Sequence, residues 1–330
     1  MLLAFVYCLL TILAALFVDH LLGEPKHCHP LIKFGQVANF IEKRLNTTAL
    51  NSRSANITLQ LQGTLAWVLT VCPWVVLTVV IVTLTDYVPP RGVASISLWL
   101  VECFILYLGI GRKSLKQHVE AIANKLISED LQAARTACAM IVSRDTTNSN
   151  ETEIASAAIE SSLENSCDGI YGAIFWFALL GAPGVVLYRL SNTLDAMWGY
   201  RSEHFAHFGK FSARIDDLLN FIPARITALT FALLSPDPLQ TLKNWRQQAP
   251  QLSSPNGGPV MICGATALDL EVGGPAVYHG KLTHKPYFGG SRKPGAHDIA
   301  MAISLNDKAL IFWVIIAAVL HSLTSRHLMF

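Results

Sequence analysis

Three short stretches of this 330-residue chain gather carboxylates, asparagines and arginines at spacings that a helix brings to one face. In the first, Glu160, Glu164 and Asp168 stand at i, i+4 and i+8, which predicts an acidic stripe. Like charges so placed destabilise a helix unless cations offset them. A Mg²⁺ ion with phosphate completing its shell would do so, and a solvated face is the plainer reading. In the second, Arg189, Asn192 and Asp195 are spaced i, i+3 and i+6, with Gly199 and Arg201 just beyond. The third runs from Arg214 through Asp216, Asp217 and Asn220 to Arg225, and pairs Asp216 or Asp217 with Asn220. Alternating Arg and Asp/Asn suits a phosphorylated substrate, since Arg forks grip phosphate while carboxylates hold a metal. The alternative is a set of structural salt bridges.

Two further motifs carry less by themselves. Asp19, His20, Glu24-Pro25 and His29-Pro30 follow the first apolar run, where a polar interface cap with a turn is the plain reading. His27 and His29 have no second ligand pair, which argues against zinc. Ser254-Pro255-Asn256-Gly257-Gly258-Pro259, with Gly273-Gly274 beyond it, can nest an anion or simply turn the chain. The sequence has no GxxxxGK[ST] loop, no HExxH and no GxSxG.

The elements that must position these residues are mostly apolar. Hydrophobic residues make up 52% of the chain and charged ones 15%, against roughly 25% charged in an average soluble domain. A net charge of +2 with no basic stripe excludes a nucleic-acid partner. The seven cysteines include no CxxC pair, and several lie inside apolar runs as small buried hydrophobes. The pattern predicts an all-α, polytopic helical membrane protein of one domain, with about four spans at 2–18, 64–84, 93–110 and 308–323. The first run lacks a basic n-region, so an uncleaved anchor is expected. Segments 170–190 and 218–234 are apolar but interrupted by glycine, proline or arginine. Broken or re-entrant helices packed within protein are expected there. Lys and Arg are abundant after the first and third spans and sparse after the second. That places the motif-bearing regions 19–63, 111–169, 191–217 and 235–307 on the cytoplasmic side of a bacterial inner membrane. Asn150 with Glu153 three residues on predicts a helix start.

Taken together, these motifs resemble the adenosylcobinamide-phosphate synthase family of cobalamin biosynthesis, called CbiB or CobD. The resemblance runs from Asp19…Gly23-Glu24-Pro25…His29-Pro30 and Ser114-Leu115…His118 to Arg144-Asp145-Thr146. It continues through Glu160…Glu164-Asn165…Asp168-Gly169, Asn192-Thr193…Asp195…Gly199-Tyr200-Arg201 and Ala213-Arg214…Asp216-Asp217…Asn220…Pro223-Ala224-Arg225. It ends in Ser254-Pro255-Asn256 and Pro286…Gly289. One departure follows Asn256, where family members usually read Ala-Gly-Trp-Pro-Glu and this chain has Gly257-Gly258-Pro259-Val260.

The resemblance implies a membrane-embedded ligase of vitamin B12 synthesis. It would join a carboxylate of adenosylcobyric acid, a corrinoid, to the amine of (R)-1-amino-2-propanol O-2-phosphate or a related amino-alcohol phosphate. ATP as co-substrate and Mg²⁺ would drive the reaction. The metal would be held among Glu160, Glu164, Asp168, Asp195, Asp216 and Asp217, with Glu164 and Asp216 also catalytic. Arg189, Asn192, Arg201, Arg214, Asn220, Arg225 and Asn256 would bind substrate and phosphate. His29 or His118 would deprotonate the attacking ammonium. Other membrane enzymes of the pathway are the expected partners besides the lipid bilayer. The rival readings are a non-catalytic membrane sensor, favoured by the altered loop, and a transporter, suggested by Glu102 inside the third span.

Overall fold

The computed structural model describes residues 1–25, 30–46, 53–87, 91–199, 204–278 and 280–324, the backbone alone at 53–55, 86–87 and 91–95. The chain is almost entirely helical and divides into two compact units.

The first unit comprises Met1–Ile110, Gly172–Asn220 and Ile316–Phe330. It is built from α1 (Leu2–Leu22), α2 (Pro30–Leu45), α3 (Arg53–Tyr87), α4 (Arg91–Gly109) and α8 (Gly172–Trp198). The first turns of α9 (Lys210–Leu234) and the end of α12 (Ala296–Thr324) complete it. Around α8 a core forms from Phe34 and Ala38 of α2, Trp67 and Val71 of α3, and Leu190, Leu194 and Trp198 of α8. Leucines and valines on the outer faces of α1 and α3 remain exposed, as they must where lipid is the solvent.

The second unit comprises Gly111–Tyr171 and Phe221–Ile315. It holds α5 (Arg112–Ile127), α6 (Leu131–Ala139), α7 (Glu151–Ser166), α10 (Pro238–Gln248) and α11 (Gly257–Ala267). Two short antiparallel pairs join β1 (Glu271–Gly273) to β4 (Tyr287–Gly289) and β2 (Ala276–Tyr278) to β3 (Lys281–Thr283). Helix α7 starts where the sequence places it. The Asn150 side chain accepts from the Glu153 N–H at 3.0 Å, and Glu153 Oε2 accepts from the Asn150 N–H at 2.8 Å. From there the helix is buried on nearly every side, from Ile154 through Leu163, against α5, α6, α11 and β1.

Among the described residues, five helical stretches are long and apolar enough to cross a membrane: Leu2–Leu22, Asn56–Thr85, Glu151–Trp198, Lys210–Leu234 and Ala296–Thr324. These include both segments the sequence left ambiguous. The expected break in 170–190 is present, in two forms. A π-helical turn spans Cys167–Tyr171, and Gly181 leaves helical geometry altogether at φ 64°, ψ −152°. The expected break in 218–234 is not there, because α9 runs continuously through Pro223. Proline deprives the Leu219 carbonyl of its helical donor, and the Trp176 indole N–H of α8 donates to that oxygen at 3.1 Å. With its freed backbone group bonded, the helix has no need to open.

Candidate functional site

In the first unit, the second half of α8 and the start of α9 bring two of the sequence motifs together. Arg189, Asn192 and Asp195 do fall along one side of α8, as their spacing predicts. The Asn192 amide donates to Asp216 Oδ1 at 3.2 Å, and the Asn220 amide donates to Asp216 Oδ2 at 3.1 Å. The sequence left open whether Asp216 or Asp217 pairs with Asn220. It is Asp216, one helical turn away, while Asp217 is exposed on the neighbouring face. Tyr188 fixes the Asn220 amide from behind, its hydroxyl donating to Asn220 Oδ1 at 2.7 Å. Asp216, Asn220 and Tyr188 are all buried.

The charges around this carboxylate are mixed. Arg189 attracts Asp216, while Asp195 and Asp217 lie near enough to repel it. Arg214 is exposed on α9. A carboxylate held on both oxygens by amide donors, with two further carboxylates and a guanidinium nearby, offers hard oxygen ligands together with a phosphate grip. Among the described residues, no three acidic, histidine or cysteine side chains stand close enough to hold a metal ion by themselves.

In the second unit the acidic stripe of α7 is found in altered form. Glu160 is buried, and both of its oxygens are engaged. Oε1 accepts from Arg144 at 3.0 Å and from Ser156 at 3.2 Å, and Oε2 accepts from Lys285 at 2.5 Å. The cations that like charges on one helix face require are therefore protein cations at Glu160. Burial by itself would lower the Arg144 guanidinium, and the Glu160 charge, its hydrogen bond to Arg144 and the nearby Tyr278 and Cys138 side chains together outweigh it, leaving the group above its usual range. Asp168 does not continue the stripe in α-helical register, because it lies in the π-helical turn beginning at Cys167, where each residue turns the chain less than in an α-helix. Glu164 is half-buried beside the start of α11. A methyl group built on Gly257 would lie 2.1 Å from its Oε1, so the glycine leaves room for the carboxylate in this position.

Two expected substrate contacts turn out to bond each other. Arg225 donates to Asn256 Oδ1 at 2.5 Å and to the Phe221 carbonyl at 3.1 Å, and its guanidinium lies over the Phe221 ring at 3.7 Å. Asn256 stands directly before the start of α11. His118 bonds back to its own helix, Nδ1 donating to the Ser114 carbonyl at 2.7 Å, which leaves Nε2 as the basic nitrogen of the neutral ring. His29 and Arg201 lie outside the described residues.

Lys285, Arg144 and Tyr188 are the site residues that spacing did not select. Lys285 lies 125 positions from Glu160 in a Gly- and Pro-rich tract with no helical period. Arg144 was visible only as part of an Arg-Asp-Thr motif. Tyr188 sits directly before Arg189, and an aromatic in an apolar run reads as core.

Comparison with known proteins gives one consistent result. The CobD/Cbib protein family matches residues 12–306. The cobalamin biosynthesis protein CobD of Stutzerimonas stutzeri is 45% identical over 307 residues, covering 93% of this chain and 96% of that one. The protein of the same name from Chromobacterium violaceum is 42% identical over 299 residues, covering 91% and 92%. A probable cobalamin biosynthesis protein CobD of Thermococcus kodakarensis is 38% identical over 229 residues, covering 68% and 70%. No solved structure matches the chain.

Proposed function

The chain belongs to the CobD/Cbib protein family, and from that premise we propose that it is a membrane-bound ligase of cobalamin biosynthesis. It joins a carboxylate of adenosylcobyric acid to the amine of (R)-1-amino-2-propanol O-2-phosphate or a close amino-alcohol phosphate, at the cytoplasmic face of the inner membrane.

A carboxylate is a poor acyl donor, so the reaction needs activation. ATP transfers its γ-phosphoryl group to the carboxylate oxygen, ADP leaves, and the acyl phosphate is then attacked by the free amine. The C–N bond forms as the C–O bond to phosphate breaks, and the ammonium proton passes to a base. The observation that carries this reading is the Asp216 carboxylate held between the Asn192 and Asn220 amides, with Asp195, Asp217 and Arg189 around it. Asp216 and one neighbouring carboxylate would hold Mg²⁺, whose charge offsets that on the transferring phosphoryl group. Arg189 and Arg214 suit the phosphate oxygens. His118, with Nε2 basic, suits the proton transfer. Glu160 acts in this scheme as the anchor of Arg144 and Lys285, and Glu164 remains a candidate for the metal or the ammonium.

The test uses detergent-purified protein with adenosylcobyric acid, the amino-alcohol phosphate, ATP and Mg²⁺, followed by mass spectrometry. The expected result is an amide-linked product that disappears in Asp216→Asn with the fold retained. No product from folded protein, under conditions where a close relative turns over, would overturn the reading and favour a homologue that has lost the reaction.

A further inference from the structure

Helix α8 breaks at Gly181, whose φ of 64° and ψ of −152° belong to a region that glycine alone adopts without strain. In an unbroken helix the Ala182 N–H would donate to the Ala178 carbonyl, four residues back. Here the two halves of that bond go to side chains of two other helices. The Ala182 N–H donates to the Glu102 carboxylate of α4. His321 of α12 donates from Nδ1 to the Ala178 carbonyl oxygen at 3.1 Å.

Both side chains are themselves fixed. Glu102 is 8% exposed, and its Oε2 accepts from the Tyr7 hydroxyl of α1 at 2.8 Å. The His321 ring stacks on Phe177 with centroids 6.5 Å apart and planes 9° apart, and on Tyr7 with the same centroid separation. A methyl group at position 181 would lie 2.8 Å from Glu102 Oε1. Pro183, just inside the new helix, has no N–H in need of a partner. The start of that half-helix carries partial positive charge, which favours a carboxylate there.

We infer that Glu102 and His321 form a paired clamp on the break in α8, holding the half-helix 182–198 at the rotation that presents Arg189, Asn192 and Asp195 to Asp216. Asn192 stands roughly 15 Å further along the helix axis from Ala182. A small rotation at the break is therefore carried to the Asn192–Asp216 bond of 3.2 Å. An intramembrane carboxylate usually marks a substrate or ion path. The partners of this one, a backbone N–H and a phenol, make it a positioning residue. Only the catalytic consequence of the clamp rests on the ligase reading.

Hydrogen–deuterium exchange of the detergent-purified full chain, without substrates, tests the clamp directly. Glu102→Ala is expected to speed exchange across 182–190 about tenfold or more, as leaving a buried backbone N–H without its acceptor implies. Glu102→Gln, which keeps an oxygen to accept the Ala182 N–H, restores protection. His321→Leu, which removes the other half of the clamp, speeds exchange in the same segment and serves if Glu102→Ala does not fold. In the amide-forming assay Glu102→Ala lowers kcat more than it raises KM, and Glu102→Gln recovers it. Unchanged protection of 182–190 in both Glu102→Ala and His321→Leu would overturn the clamp. A faster-exchanging variant alongside an unmodified chain that makes no amide would leave the clamp standing and count against the ligase reading instead.

Discussion

Trp176 donates its indole N–H to the carbonyl oxygen of Leu219 at 3.1 Å, the oxygen that Pro223 strips of its helical partner. One side chain thus lets a proline sit inside a long apolar helix without opening it. Trp176→Phe is expected to lower stability by about 1–3 kcal/mol, because a buried carbonyl is left unbonded. In a Pro223→Ala background the new backbone N–H can reach Leu219, so the cost of Trp176→Phe should fall by roughly 1 kcal/mol. Thermal denaturation of the four proteins in detergent checks this, and equal costs in both backgrounds would refute the pairing.

Glu160 is held by Arg144 at 3.0 Å and Lys285 at 2.5 Å. Removing one member of a buried charge cluster strands the others, at a cost of about 3–5 kcal/mol when burial is complete. The Lys285 side chain is 22% exposed, so Lys285→Met should cost less, about 2 kcal/mol. Glu160→Gln strands Arg144 and should cost more. The double variant should cost less than the sum of the two, which a melting series can read.

A methyl group at position 257 would meet the Glu164 carboxylate at 2.1 Å unless that side chain moves. Gly257→Ala must push Glu164 aside and should cost about 1–3 kcal/mol by overpacking. Shortening the acid in Gly257→Ala/Glu164→Asp should recover most of that loss. No recovery would mean the strain lies elsewhere.

Tyr188 locks the Asn220 amide, and Asn220 in turn holds Asp216. Tyr188→Phe lets that amide turn over, and it should slow amide formation about three- to tenfold, the worth of one hydrogen bond. On the proposed reading the Mg²⁺ concentration for half-maximal rate should rise as well. An unchanged Mg²⁺ requirement with a slower rate would argue that Asp216 does not hold the metal.

What the sequence determined by itself is local and periodic. Runs of apolar residues announce an all-α membrane protein, since only a helix satisfies its own backbone in lipid. The Asn150/Glu153 box marks the start of α7, and the spacing of Arg189, Asn192 and Asp195 is already a helix face. The i, i+4 relation of Asp216 and Asn220 is a bond waiting to form. Such features lie within a turn or two of chain, where 3.6-residue periodicity fixes geometry in advance.

Only the tertiary structure decided which distant group each of these would meet. Lys285 reaches Glu160 across 125 residues, Tyr7 reaches Glu102 across 95, and Trp176 reaches Leu219 across 43. No period links such positions. Packing brings them together, and a buried polar group that lost its helical or aqueous partner then takes whatever donor or acceptor packing supplies. The same cause explains why α8 opens at Gly181 while α9 stays closed at Pro223. A break or a proline announces only that a backbone group has been freed, and the neighbouring helices settle what becomes of it.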